Sequence, residues 1–131
     1  MKILPVIVPL GLFILTSCDS PKESDTVSEK SPPPPEHPWD WIPEDPALAS
    51  GREIYLMECS GCHDEGEEGA PALTKKSEWD TRSEQGLAVL LDHALNGFQG
   101  PDGKMPARGG TPSLTDEEVT NAVNYMLAAP K

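Results

Sequence analysis

Cys59-Ser60-Gly61-Cys62-His63 constrains this chain more than any other run, because C-x-x-C-H is the attachment pattern of a c-type haem. Each thiol can add across a haem vinyl group to give a thioether. The two intervening residues hold the sulfurs a helical turn apart, and His63 delivers its imidazole to the iron from that turn. A zinc site would need two further ligands, and the one remaining cysteine of three, Cys18, is far away in sequence. A thioredoxin-like redox pair would want a βαβ context, which the sequence lacks.

A histidine alone leaves one axial position open to gas binding or chemistry, whereas a second ligand closes it and makes an electron carrier. Met105 stands in Gly100-Pro101-Asp102-Gly103-Lys104-Met105-Pro106, a loop by composition because its glycines and prolines continue neither helix nor central strand. A methionine there has no core to fill, and Pro106 restricts it to extended conformations that help aim the sulfur. The alternatives are a gap-filling or exposed Met105, or ligation elsewhere. Met57 and Met126 read as core residues, His93 as a surface or half-buried position on a helical segment, and His37 as a solvated residue of a Pro-rich stretch.

Gly51-Arg52-Glu53-Ile54-Tyr55, Gly69-Ala70-Pro71-Ala72-Leu73, Trp79, Ala94-Leu95-Asn96-Gly97-Phe98, Met105-Pro106-Ala107-Arg108-Gly109-Gly110 and Leu114-Thr115-Asp116-Glu117-Glu118-Val119 follow one another in an informative order. Gly51 to Leu127 thereby resembles a class I cytochrome c domain, most similar to the small bacterial c-five type. The resemblance implies an all-α fold of about three to five helices around one covalently bound haem c, attached through Cys59 and Cys62. It implies His63 and Met105 as axial ligands and the Pro71 carbonyl as acceptor from the other ring nitrogen of His63. Trp79 and Arg82 would contact the haem propionates, unless Trp79 is simply a core aromatic and Arg82 a solvated charge. Gly51 and Tyr55 would meet Tyr125 where the first and last helices cross. Gly110-Thr111-Pro112-Ser113-Leu114 lacks the cysteine pair of some members, and Gln99 to Lys104 is longer than is common.

The start reads as a lipoprotein signal. Lys2 precedes an apolar stretch from Ile3 to Leu15, shorter than the roughly 20 residues that span a bilayer. Leu15-Thr16-Ser17-Cys18 resembles a bacterial lipoprotein cleavage site, with residues 1–17 removed and Cys18 lipidated. The rival is an ordinary signal peptide with an incidental cysteine. Lipidation would remove a free thiol from an oxidising compartment, and Asp19 favours retention at the inner membrane, facing the periplasm.

Residues 18–45 read as an acidic, Pro-rich linker that cannot offset its ordering entropy by burial. Its reach is roughly 80 Å extended and about 30 Å as a coil. Trp39 and Trp41 are out of character there and by default pack onto the domain of residues 46–131. Helices are expected from about Pro46 to Cys59 with Asp45 as cap, from about Glu84 to Leu95, and from Thr115 with a Glu118 capping box; no strand is expected. The net charge of −12 excludes nucleic acid as a partner.

The sequence therefore points to a membrane-tethered mono-haem electron carrier rather than an enzyme. The resemblance implies a terminal oxidase, a reductase or a quinol-oxidising complex as partners. The competing readings are a fixed electron-transfer subunit of a larger dehydrogenase or reductase, and a haem sensor with a labile sixth ligand.

Overall fold

The computed structural model describes residues 33–131. The expected signal segment, the lipidation site Cys18 and the first part of the linker lie outside the described residues.

Asp45 caps the first helix as its sequence position suggests: its side chain accepts from the Ala47 and Leu48 amides at 2.9 and 3.0 Å. Pro46, which lacks an N–H, opens α1 (Pro46–Ile54). The expected uniform α-helix to Cys59 differs in one respect. Tyr55–Cys59 is a π turn, closed by the Ser60 amide on the Tyr55 carbonyl, before α2 (Ser60–His63) resumes α geometry. α5 (Asp116–Ala128) begins on the anticipated capping box, with the Glu118 amide 3.2 Å from Thr115 Oγ1 and the Thr115 amide 2.7 Å from Glu118 Oε2. Val119, Ala122, Tyr125 and Met126 form its buried face.

α1 and α5 cross at Gly51. A Cβ built there would lie 2.0 Å from the Asn121 carbonyl oxygen, so the two backbones approach as only glycine permits. One turn on, the fully buried Tyr55 and Tyr125 pack with ring centroids 5.5 Å apart. With Leu73, Trp79, Met126 and Ala129 they make the core. Met57 differs from its expected core role: it lies in the π turn and is 67% exposed, on the side away from the core that Tyr55 enters.

Three elements depart from the sequence reading. α3 (Lys76–Ser83) is a helix that buries only Trp79, so no apolar periodicity announces it. α4 (Leu87–Asn96) starts after Gly86, whose φ of 87° breaks any helix begun at Glu84. Residues expected to be wholly irregular pair as a two-stranded antiparallel ribbon, β1 (Phe98–Gln99) with β2 (Lys104–Met105), in the register Phe98 to Met105 and Gln99 to Lys104.

The compact unit also begins earlier than Pro46, at Pro33. Trp41 stacks on Tyr125 at 5.7 Å, the Tyr125 hydroxyl donates to the Pro38 carbonyl at 3.1 Å, and Arg52 Nε donates to the Trp39 carbonyl at 3.0 Å. The two tryptophans pack against the domain core, which withdraws residues 38–41 from the expected linker. Among the described residues no helix is long and apolar enough to cross a membrane.

Candidate haem site

The π turn and α2 bring Cys59, Cys62 and His63 to one wall of a cleft of about 250 Å³. Cys59 is half-buried and Cys62 exposed. Burial, reinforced by the neighbouring Glu58 and Cys62, pushes the Cys59 thiol up to about 11.

His63 is buried, and its Nδ1 lies 3.0 Å from the Pro71 carbonyl oxygen. Because a carbonyl only accepts, Nδ1 carries the proton and Nε2 keeps the lone pair that can bind a metal. Burial holds the imidazole below the ordinary histidine range, against the opposing pull of the Pro71 contact, and the Arg82 cation lowers it further. Neutral imidazole is the form a metal ion needs.

The 71–73 segment is fixed on both sides. The Leu73 amide donates to the His63 carbonyl at 2.5 Å, and Trp79 Nε1 donates to the Ala72 carbonyl at 2.8 Å. Trp79 thereby stands in the cleft wall with its indole N–H on the protein's own backbone. Its ring lies 6.1 Å from the His63 ring. Arg82 also borders the cleft, half-buried, with one guanidinium nitrogen on the Glu78 carbonyl at 2.9 Å and 3.6 Å from the Glu78 carboxylate. The exposed end of α3 therefore holds this cation at the rim, where an anionic group of a bound molecule can meet it.

Met105 lines the same cleft from β2. Its segment is tied down by contacts that no motif predicts. Thr111 Oγ1 donates to Glu58 Oε2 at 2.6 Å, and Arg108 reaches the Leu114 carbonyl at 2.8 Å and the Asp116 carboxylate at 2.5 Å. Arg108, Gly109 and Gly110 all have positive φ, which turns the chain tightly below Met105. Sequence reasoning also missed Phe98, stacked on His93 at 3.9 Å, and the cleft-lining Leu90 and Val123. Cleft-facing positions on different elements share no periodicity that a sequence displays.

The donor set fits a haem: two thiols on one turn, a neutral imidazole with a fixed tautomer, a thioether across an apolar cleft, and an arginine at the rim. Among the described residues no group of three or more His, Cys, Asp and Glu could hold a bare metal ion, which leaves the zinc alternative without ligands there.

Residues 46–126 match the family described as "Cytochrome C oxidase, cbb3-type, subunit III". The chain is 40% identical over 83 residues to cytochrome c-555 of Chlorobaculum thiosulfatiphilum, covering 63% of this chain and 96% of that protein. It is 37% identical over 82 residues to cytochrome c-551 of Halorhodospira halochloris, covering 60% and 95%. A solved structure described as an electron transfer complex of nitrite reductase with cytochrome c matches at 36% identity and a TM-score of 0.53, covering 63% of this chain and 93% of that one.

Proposed function

The chain belongs to the class I c-type cytochromes, within the family described as "Cytochrome C oxidase, cbb3-type, subunit III", and carries one haem c as an electron carrier rather than an enzyme; on that premise we propose that it is a His/Met-ligated shuttle tethered to a membrane and facing the periplasm. Bound haem c supplies a one-electron Fe(III)/Fe(II) couple. Cys59 and Cys62 would hold it by thioether bonds, His63 Nε2 would be the proximal ligand and the Met105 thioether the distal one. Arg82 would face a propionate.

The observation that carries this reading is the His63 Nδ1 to Pro71 contact at 3.0 Å in a cleft that Met105 also lines. Pro71 orients the imidazole and fixes its tautomer. Met105, a soft ligand, favours Fe(II) and raises the potential, and the apolar wall acts in the same direction by excluding water. With His63 and Met105 both held by the chain as ligands, a substrate would have no place at the iron.

Cys18 would carry the lipid, with the inner membrane favoured by Asp19. A terminal oxidase, a reductase or a quinol-oxidising complex would exchange electrons with the carrier, and the nitrite reductase complex of the structural relative supports the reductase. A fixed-subunit role would use the linker as a docking arm with Trp39 and Trp41 available to a partner; both rings are instead packed against the domain's own core.

The test is the visible spectrum of the haem-loaded protein. A weak far-red sulfur-to-iron band in the ferric form, lost in Met105→Ala, with no rapid carbon monoxide binding to the ferrous wild type, is the expected result. A high-spin wild type that binds carbon monoxide at once overturns it in favour of the sensor. Cys18→Ala should move the protein from the membrane to the soluble fraction.

A further inference from the structure

Two turns that the family resemblance leaves without a role touch across one rim of the cleft. One is Glu67–Gly69, after the haem motif, and the other is the β1–β2 turn. A Cβ built on Gly103 would lie 1.9 Å from the Glu68 carbonyl oxygen, and one on Gly69 would lie 2.2 Å from the Asp102 carbonyl oxygen. The two backbones therefore meet at a separation that side chains forbid on either partner. Both turns line the cleft. Each is closed internally, by the Ala70 amide on the Glu67 carbonyl and the Gly100 amide on the Gly103 carbonyl, both at 2.9 Å.

Among the described residues no hydrogen bond joins the two turns, so parting them gives up only van der Waals contact. Exposed Glu67, Glu68 and Asp102 place like charges on both sides of the contact, only partly offset by exposed Lys104 beside Gly103. Such a junction opens locally without unfolding the domain.

We propose that these two turns form a clasp over the cleft rim, and that small exogenous iron ligands such as imidazole reach the Met105 side only when it opens. The proposal rests on the His63/Met105 reading above. The clasp keeps water and competing ligands from the distal position.

The experiment measures imidazole association with the ferric, haem-loaded protein for wild type, Gly103→Ala, Gly69→Ala and Gly86→Ala. Gly86 has a φ of 87°, close to the 80° of Gly69, but a Cβ there meets nothing within 4 Å, so it controls for backbone strain alone. Association about tenfold faster in Gly103→Ala and Gly69→Ala than in Gly86→Ala is expected, the order of effect of forced overpacking. Equal rates in all three, with the far-red band intact, overturn the clasp and leave the Met105 reading standing. Absence of that band in the wild type overturns the Met105 reading instead. The clasp is then decided by amide exchange in the same proteins. Faster exchange at Ala70 in Gly103→Ala supports contact across the rim, and unchanged exchange there refutes it.

Discussion

Glu58 and Thr111, 53 residues apart, meet through a 2.6 Å hydrogen bond that joins the haem-motif helix to the segment following Met105. The contact braces the two ligand-bearing parts of the chain against one another. Thr111→Val keeps the shape and removes the donor. Holoprotein stability in urea should fall by about 1 kcal/mol, with a wild-type spectrum at neutral pH.

The N-terminal strap should behave as part of the domain. Tyr125→Phe deletes only the hydroxyl that reaches Pro38 and should cost about 1 kcal/mol. Trp41→Ala removes the ring stacked on Tyr125 and should cost more, about 2 kcal/mol for a half-buried aromatic. Hydrogen exchange of the Asp40 and Trp41 amides should accelerate in both, and unaltered exchange would contradict the strap.

Acid should weaken the start of α5. Glu118 is held below the ordinary glutamate range by the Thr115 amide and then by its hydroxyl. A carboxyl with a lowered folded value stabilises the fold above its unfolded value and loses that contribution as pH falls through the folded one. Glu118→Gln should therefore lower the thermal midpoint at pH 7 and match the wild type once pH is well below about 4.5. A constant difference across that range would count against the capping box.

Without haem the domain should lose its fixed packing, because fewer than a hundred residues with few aromatics have little core of their own. Preparations blocked in haem attachment should show poorly dispersed amide NMR signals, whereas sharp, dispersed signals would refute this.

A net charge of −12 should govern encounter rates. Reduced protein should transfer electrons to a cationic cobalt complex faster than to ferricyanide after correction for driving force, and rising salt should bring the two together.

What could be read in advance was local. The C-x-x-C-H run, the Asp45 and Thr115 caps and the α5 stripe each declare themselves within a few residues. The His63 to Pro71 contact was legible only through family resemblance. α3 escaped because Trp79 alone among its residues is buried. The ribbon escaped because two residues per strand are too few to show alternation. The strap and the Glu58–Thr111 bond depend on residues 87 and 53 positions apart, which only the closed chain brings together. The Trp79 to Ala72 hydrogen bond was not legible either, since composition cannot say which backbone carbonyl an indole N–H will reach.

The π turn at Tyr55–Cys59 bears on how related chains can be compared. A π turn holds one residue more than the α turn it replaces, with no break in the helix around it. Tyr55 must keep facing α5 while Cys59 faces the cleft, so the surplus residue is absorbed within that turn. A relative one residue shorter here can keep both orientations simply by straightening into an ordinary helix. An alignment gap inside this unbroken helix would then record a change of winding, and neither end of the helix would have moved.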